Sequence, residues 1–551
     1  MRSTALLLAL AAGAAASSIS LAQEGLPTSN AVIRAALARA HGGLGGGADM
    51  APGPDVIVGE IEASGCCPQG VSISPAGSSG SIVSYGLGTS SCNIATAGSG
   101  GQHLLWRSST PFHPIIPQNM YRLKTVNGSS RFEQIGQSWS KYAFLALTDN
   151  VCNLGCSNVG GSVLGMGCSD PYSAGLNAQQ SGLGPRYECN PFTGVFPDSS
   201  AVRSAWPAVG GSPIARQIQV QASDLAAASN PGALYFGESL YITRDDACFG
   251  NSKNNASYRR FTVGSGNTIT LQGTSNGVST GTTRGKPAIF AWRDHGGGIN
   301  TVDPNVMVTE VTCGNTFFSQ PAYPYSGAQG AGTTLVLPAG DGWVYVASRA
   351  TDLGGGVWHY EYAIENLNSD RGIGSFSVNF PAGTVITNAE RRQIDCHSGE
   401  ATADANRNAA WSQIIGSTSI MWATPHTYNA GTPQLGSYIR WGTMYNFRFD
   451  ANVAPATDGN ATLGYFKPLA GYVNTIAAAA HVPGTPPPPV CYANCDGSSG
   501  TPVLTSNDFQ CFLDQFAAGS SYANCDGSTG SPTLTSNDFQ CFLNSYAAGC
   551  T

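Results

Sequence analysis

Residues 357–364 read VWHYEYAI, in which large apolar side chains alternate with polar or smaller ones. Successive side chains of a β-strand point to opposite sides, so this alternation places the large apolar residues on one face of a strand. Two later stretches repeat the pattern and predict two more half-buried strands. The apolar faces consist of Trp358, Tyr360, Tyr362 and Ile364, then Phe376, Val378 and Phe380, then Tyr445, Phe447 and Phe449.

Glycine-rich and asparagine-rich turns separate these runs, without a sustained helical period. Short alternating strands and frequent turns are typical of an antiparallel β-sandwich, which we predict over residues 336–480. Residues 54–335 hold further apolar runs between long polar loops, and we predict a β-rich domain there. Examples of these runs are Val56–Ile61, Ala288–Trp292 and Val306–Cys313. The spacing leaves open whether the two halves share one system of sheets.

Few residues of the chain are charged. The charged fraction is 11%, against about 25% in an average soluble domain. Glycine alone accounts for 70 residues, and the composition is typical of an extracellular all-β protein. The net charge of −7 includes no basic block or stripe, which argues against nucleic acid or an anionic membrane as a partner.

The first 22 residues have the pattern of a secretory signal peptide. Arg2 supplies a positive charge, an apolar stretch runs from Ala5 to Ala16, and Ala22 completes a small-residue cleavage site. A buried N-terminal helix is the alternative, whereas the stretch is too short to span a bilayer. Residues 23–53 are interpreted as a flexible leader, and no later segment has the length of a membrane span. We therefore expect a secreted protein, extracellular or on the cell surface.

The chain contains sixteen cysteines, and an even number in an exported protein favours disulfides over metal thiolates. Ten cysteines precede residue 400 and six follow residue 490. A tail of about sixty residues builds only a small core, so disulfides are expected to matter most there. A proline-rich linker at residues 481–490 is predicted to separate this tail from the body.

Two near-identical segments make up the tail. Residues 492–519 read YANCDGSSGTPVLTSNDFQCFLDQFAAG, and residues 522–549 read YANCDGSTGSPTLTSNDFQCFLNSYAAG. Each has a polar loop, a capping-box-like start at Thr505 or Thr535, and an apolar helix that ends at glycine. The apolar stripes are Phe509, Phe512, Leu513 and Phe516, and Phe539, Phe542, Leu543 and Tyr546. Neither helix can bury its stripe alone, so the two helices should pack together.

In an EF-hand, calcium is bound by a loop of oxygen ligands that is followed by a helix with a carboxylate near its start. Each repeat of the tail has this order of features. With these loops, caps and helices, residues 491–551 resemble type I dockerins, and more closely a cysteine-containing variant at the C-termini of exported bacterial proteins. The resemblance implies calcium in the loops and a cohesin-like or other cell-surface protein as partner. The calcium ligands it implies are Asn494, Asp496 and Asp508, and Asn524, Asp526 and Asp538.

The tail departs from the dockerin pattern in two ways. Tyr492 and Tyr522 stand where the loop usually opens with aspartate. About five extra residues separate Asp496 from Asp508 relative to an EF-hand. A disulfide-held pair of helices without an ion is therefore the alternative. Repeat symmetry leads to a hypothesis for the six tail cysteines, namely Cys495 with Cys511, Cys525 with Cys541, and Cys491 with Cys550.

The body carries no familiar catalytic motif. By resemblance, a dockerin-like tail delivers a cargo that is often an enzyme or a binding module for polysaccharide. Glycoside hydrolysis needs two carboxylates across a cleft, and the sequence alone does not pair the candidates. These candidates are Glu133, Asp149, Asp170, Glu238, Asp245 and Asp246.

Other polar groups in the body are expected to be structural rather than catalytic. Cys152, Cys156 and Cys168 are close enough in sequence to bind zinc, but an exported chain favours a disulfide-pinned loop. The remaining groups are the cluster Asp395, Cys396, His397 and Glu400, and the pair His359 and Glu361 on one strand face.

Together these observations predict a secreted protein that is mainly β. Its β-rich body includes an antiparallel sandwich. A small α-helical, disulfide-stapled, dockerin-like domain follows as the tail. We expect extracellular attachment or assembly through the tail, with polysaccharide as a second candidate ligand. One alternative is a polysaccharide-degrading hydrolase with catalytic carboxylates in residues 54–335. Another is a non-catalytic carbohydrate-binding or structural surface protein.

Overall fold

The structure is a computed structural model that covers most of the body and of the tail. It describes residues 53–61, 77–95, 103–108, 110, 112–157, 159–196, 213–275, 278–279, 281–313, 323–325, 333–335, 341–395, 408–430, 436–456, 458–484, 491–498, 502–529 and 531–549. The predicted signal peptide, the leader through residue 52, and the linker from residue 485 lie outside the described residues.

Strands dominate the body, as predicted. In chain order they are β1 (Val56–Glu60), β2 (Gly77–Ser79), β3 (Ile82–Tyr85), β4 (Thr89–Asn93), β5 (Leu104–Leu105), β6 (Ile115–Val126), β7 (Ser129–Tyr142), β8 (Val163–Leu164), β9 (Ser169–Tyr172), β10 (Leu183–Gly184), β11 (Ile218–Gln221), β12 (Leu234–Leu240), β13 (Ala256–Val263), β14 (Ile269–Leu271), β15 (Thr274–Ser275), β16 (Val278–Ser279), β17 (Thr282–Thr283), β18 (Val306–Thr312), β19 (Tyr323–Tyr325), β20 (Thr333–Leu335), β21 (Trp343–Gly354), β22 (Val357–Asn366), β23 (Ile373–Asn379), β24 (Ile386–Arg392), β25 (Ser412–Ile415), β26 (Ser419–Ala423), β27 (Thr443–Ala451), β28 (Asn460–Tyr465) and β29 (Thr475–Ala479).

Helices are short in the body and longer in the tail. The body helices are α1 (Ala174–Asn177), α2 (Ala222–Leu225), α3 (Arg244–Cys248) and α4 (Phe290–His295), and the tail helices are α5 (Ser506–Ala517) and α6 (Ser536–Ala548). Short 3₁₀ segments occur at Gln180–Gly182, Arg186–Glu188, Ser265–Asn267 and Ser521–Ala523.

Three antiparallel sheets are stacked through the body. Sheet I has the order β10-β7-β6-β12-β13-β14, with β17 paired to β13. Sheet II has the order β18-β21-β22-β27-β24, and sheet III the order β25-β26-β23-β28-β29. Two small sheets, β1-β4-β9 and β11-β3-β2, contribute to the core on the other face of sheet I. Sheet II lies between sheets I and III, because one of its faces packs against each of them.

Sheets II and III form the sandwich expected in the second half of the chain. Tyr362 and Phe447, which face each other across β22 and β27, pack against Phe376 and Trp422 of sheet III in one buried cluster. The three predicted apolar faces all contribute to this cluster, with Trp358 packed at its margin. Period-two alternation was thus sufficient to locate this core.

The other face of sheet II packs against sheet I. Tyr121 and Phe236 of sheet I share a buried cluster with Tyr345 and Ala363 of sheet II. In addition, β18 precedes residue 335 in sequence but pairs with β21 along its whole length. The two halves of the body therefore share one stack of sheets, and we call the contact between sheets I and II the seam.

The apolar run Ala288–Trp292 is not a strand, unlike the other two runs that we singled out. It leads into α4, and its residues Ala288, Ile289, Ala291 and Trp292 are buried in the seam. A short apolar run that is buried on all sides shows no periodicity, so sequence does not separate a strand from a buried helix.

Candidate functional site

The tail helices pack against each other through their aromatic stripes, as predicted. Phe512 of α5 and Phe542 of α6 are fully buried, and their rings stack with centroids 4.1 Å apart. Phe509, Phe516, Phe539 and Tyr546 pack around this pair. Both helices start with the predicted capping box, at Thr505 and Thr535. Positive φ angles at Gly519 and Gly549 turn the chain away after the helices.

Tyr492 and Tyr522 join the two copies to each other. The hydroxyl of Tyr492 donates to the carbonyl of Tyr522 at 2.5 Å, and the hydroxyl of Tyr522 donates to the carbonyl of Tyr492 at 2.5 Å. Their rings stack with centroids 4.9 Å apart. We call this reciprocal pair the tyrosine clasp. The two positions where the sequence departs from the dockerin pattern thus make the most symmetric contact of the tail.

In each repeat, one disulfide ties the polar loop to the helix that follows it. Cys495 is bonded to Cys511 and Cys525 to Cys541, as repeat symmetry led us to expect. Cys491 is disulfide-bonded too, while Cys550, its predicted partner, lies outside the described residues. Each bridge closes a loop of 16 residues, for which chain-entropy models give about 3 kcal/mol of stabilisation.

The loop carboxylates are engaged by backbone groups. Asp508 is fully buried; its Oδ2 accepts the Thr505 N–H at 2.8 Å and its Oδ1 accepts the Asp496 N–H at 3.2 Å. Asp538 does the same for Thr535 and Asp526. A hydrogen bond from the Ser498 N–H lowers the pKa of Asp496, and one from Thr535 lowers the pKa of Asp538. These carboxylates therefore link each loop to its own backbone and to the start of its helix.

Each loop also contains a buried acceptor that lacks a donor. The Nδ2 group of Asn494 donates to the Ser498 carbonyl at 2.9 Å, but its Oδ1 atom is buried without a hydrogen-bond partner. Asn524 repeats this arrangement with Ser528. An unmatched buried oxygen in a loop that also contains two aspartates is the type of ligand that an oxygen-seeking cation such as calcium prefers. Within the described residues, no group of three or more His, Cys, Asp or Glu side chains has metal-binding geometry.

Asp508 connects the loop backbone to the start of α5, and a substitution can test how much this stabilises the tail. In Asp508→Asn, the amide NH₂ faces either the Thr505 or the Asp496 N–H, so one donor is left unpaired. We expect a loss of about 1–3 kcal/mol in the stability of the tail. This loss of stability is measured by thermal unfolding of the full chain, in which proteolytic cleavage within the tail reports the unfolding of the tail. Asp514→Asn is the control, because Asp514 is exposed and its side chain accepts a surface hydrogen bond from Gln510.

The helices leave a mixed polar and apolar face outside the tail core. Gln510, Asp514 and Ala517 are exposed on α5, and Leu513 between them is half-buried. On α6 the corresponding residues are Gln540, Asn544 and Ala547, with Leu543 half-buried. Neither leucine belongs to the buried tail cluster, which corrects the expectation that all four stripe residues pack inward. These half-buried leucines lie beside exposed polar residues and define a candidate contact surface on each helix.

The candidate carboxylates of the body are mostly buried. Glu133, Asp170, Glu238, Asp245 and Asp246 are each at most 3% exposed, and Asp149 is half-buried. Backbone N–H groups bond four of them: Leu147 to Asp170, Leu105 to Asp245, Val56 to Asp246, and Ala288 to Glu238. Arg122 binds Glu133 at 2.6 Å. The positions of these groups indicate structural roles rather than access to a substrate.

The polar clusters singled out in the sequence have structural partners. Cys92 bonds Cys152, and Cys156 bonds Cys168, so these residues form disulfides, as expected. The Asp395 carbonyl accepts the Gln137 side chain, whereas Cys396, His397 and Glu400 lie outside the described residues.

His359 lies between two carboxylates. Its Nε2 atom is 3.0 Å from Glu361 and its Nδ1 atom 2.5 Å from Asp450. Burial alone would lower the pKa of His359, but the hydrogen bonds to Glu361 and Asp450 outweigh it and raise the pKa. Sequence predicted the neighbouring Glu361 but not Asp450, because Asp450 comes from the adjacent strand β27. With both ring nitrogens engaged, His359 serves as a cross-link.

Two of the cavities in the described part of the body can be compared with a sugar-binding cleft. One, of about 30 Å³, lies between Tyr187, Cys189, Asp370 and Lys467; this is room for about one water molecule. The other, of about 330 Å³, is a surface groove between residues 381–384 and 452–454 and carries no ionisable side chain. Neither combines the volume and the acidic groups that sugar hydrolysis requires.

No protein-family model matches the chain, and no curated protein has a significantly similar sequence. Within the described residues, no helix is long and apolar enough to cross a membrane. Function must therefore be argued from the tail and the body themselves.

Proposed function

We propose that the protein is a secreted attachment protein, whose tail docks onto a protein partner outside the cell and thereby holds the β body in place. The observation that carries this proposal is the pair of half-buried leucines, Leu513 and Leu543. Each lies among exposed polar residues on a helix that disulfides and the tyrosine clasp hold rigid. A rigid surface loses little conformational entropy on binding, which favours recognition.

The dockerin resemblance supports the same proposal and points to a cohesin-like or other cell-surface partner. The body disulfides are consistent with an oxidising location outside the cytoplasm. A polysaccharide ligand for the body stays a second proposal, since exported dockerin-bearing proteins often carry such cargo. The described carboxylates give no specific support to a hydrolase.

Calcium is proposed as a ligand of both tail loops. Asn494, Asp496 and Asp508 would hold it in the first copy, and Asn524, Asp526 and Asp538 in the second. The ion would neutralise the paired carboxylates and satisfy the unmatched asparagine oxygen. Because disulfides and backbone hydrogen bonds already fix the loops, removal of calcium by a chelator should affect the tail less than reduction of the disulfides does.

The docking proposal is tested by binding of the purified full chain to the surface of the producing cells. We expect the double variant Leu513→Ala, Leu543→Ala to bind at least roughly tenfold more weakly, as for residues central to an interface. Val473→Ala is the matched control, since Val473 is 68% exposed on the body. Equal binding by the double variant and the wild type would refute docking through these helix faces.

A further inference from the structure

Two carboxyl groups meet in the seam at the centre of the body. Glu238 lies on β12 of sheet I and Glu365 on β22 of sheet II, and they are 0% and 1% exposed. The Tyr121 hydroxyl lies between them, 2.9 Å from Oε1 of Glu238 and 3.3 Å from Oε1 of Glu365. Consecutive backbone N–H groups, those of Ala288 and Ile289, reach the other oxygen of each carboxyl. The two side chains thus occupy one shared polar site inside an apolar interface.

The hydrogen bonds of the two groups differ in number and length. Glu238 accepts from Asn119 at 2.8 Å, from Tyr121 at 2.9 Å and from Ala288 at 2.6 Å. Among the described residues, Glu365 has the Ile289 N–H at 3.3 Å, and the Tyr121 oxygen also lies at 3.3 Å, but its single hydrogen goes to the nearer Glu238. Three short donors are the environment of an ionised carboxylate, because charge-assisted hydrogen bonds are shorter. Glu238 is therefore the anion of the pair, and Glu365 is the acid that donates to it.

Burial first, and the neighbouring Glu238 charge second, raise the pKa of Glu365 well above its ordinary value. Burial also raises the pKa of Glu238, although its donors oppose that rise. Two carboxylates this close inside a protein do not both ionise readily. Among the described residues, no ion pair joins a cation to either group.

We propose that one proton, held by Glu365 and shared with Glu238, locks sheet I to sheet II, so that the body is a pH-responsive unit whose seam loosens as the medium becomes alkaline. A group whose pKa is raised on folding contributes stability below its unfolded pKa. It loses that contribution as the pH rises through the folded value. The contribution of the lock therefore falls from mildly acidic toward alkaline pH.

The nearest cation among the described residues forms no direct ion pair with either carboxyl. Arg186 lies behind Asn119, where its guanidinium donates to the Asn119 side chain at 2.9 Å and to the Gly442 carbonyl at 2.8 Å. From sheet II, Tyr345 on β21 contacts Glu310 on β18, and the Glu310 carboxylate is itself paired with Lys253 at 2.7 Å. Loss of the proton would therefore leave two buried anions facing each other across the seam.

Glutamine variants of the two residues have opposite expected effects. In Glu365→Gln the amide still donates to Glu238 but has no proton to lose. The Tm advantage of this variant over the wild type should be several degrees larger near pH 8.5 than near pH 5.5. In Glu238→Gln an NH₂ group meets the Ala288, Asn119 or Tyr121 donors, and the Tm should fall at both pH values. Glu390→Gln, at a side chain that is 61% exposed, is the control for surface charge.

The variants are compared by calorimetry on the full chain. Other buried groups also have a raised pKa, including Asp55 and Asp170 at about 7, so the difference between wild type and Glu365→Gln is the diagnostic quantity. If Glu365→Gln loses as much Tm between the two pH values as the wild type, the shared proton is not the lock. Equal effects of the two glutamine variants would overturn the assignment of the acid to Glu365.

Hydrogen exchange of the wild type tests the same proposal without a variant. After correction for the chemical exchange rate, β12 and β22 should lose protection near pH 8.5 relative to pH 5.5, while β26 in sheet III keeps its protection. Uniform loss across all three sheets, or no loss at all, would contradict a lock confined to the seam.

Discussion

Phe512→Ala is expected to unfold the tail while the body stays folded. Phe512 is fully buried, and its ring stacks on Phe542 at 4.1 Å in the centre of a small core. Replacing a buried phenylalanine by alanine costs about 3–5 kcal/mol. A module of this size has little stability in reserve, so most of it should be lost. Calorimetry should show a lower or absent tail transition and an unchanged body transition.

Leu513→Ala is the matched comparison, because Leu513 is adjacent in sequence but lies outside the buried cluster. It should leave the tail transition nearly in place and weaken attachment. The pair of substitutions thus separates folding of the tail from its use. If Phe512→Ala left the tail transition unchanged, the aromatic stack would not be the centre of the module.

Glu361→Ala is expected to cost about 3–5 kcal/mol in the stability of the body, the range for breaking a buried ion pair. Glu361 is fully buried. It lies 2.9 Å from Arg131 of sheet I and 3.0 Å from His359. Removal of its carboxylate leaves the Arg131 guanidinium in the seam without this partner. Urea denaturation followed by tryptophan fluorescence should show the midpoint of the body shifted to a lower concentration.

Glu390→Ala provides the comparison for Glu361. Glu390 binds Arg448 on the same sheet at 2.7 Å, but its side chain is 61% exposed. Exposed ion pairs contribute about 0–1 kcal/mol because water and salt screen them. Similar midpoint shifts for the two variants would mean that burial in the seam does not strengthen the Glu361 contacts.

Local patterns predicted the elements that depend on local physics. The alternation at Tyr360 and Tyr362 located the sandwich core, and the capping box at Thr505 and Asp508 located the start of α5. The pairing of Cys495 with Cys511 followed from the repeat. In each case the residues that determine the structure are close in sequence or repeated.

Features made by distant residues were not predictable. Glu365 was not among the candidate residues, because its partner Glu238 comes from another sheet and nothing near Glu365 in sequence marks it. Asp450 joins His359 only through the pairing of β22 with β27. The inward or outward position of Leu513 depends on the angle between two helices, which the helical period alone does not define.

The tyrosine clasp makes each repeat part of the environment of the other. A chain that lost one copy would keep a tyrosine hydroxyl without its carbonyl acceptor and half of an aromatic core open to water, so a single repeat would not be a smaller version of the same module. The fold of the tail therefore requires both copies. In related proteins, substitutions at Tyr492 should covary with substitutions at Tyr522.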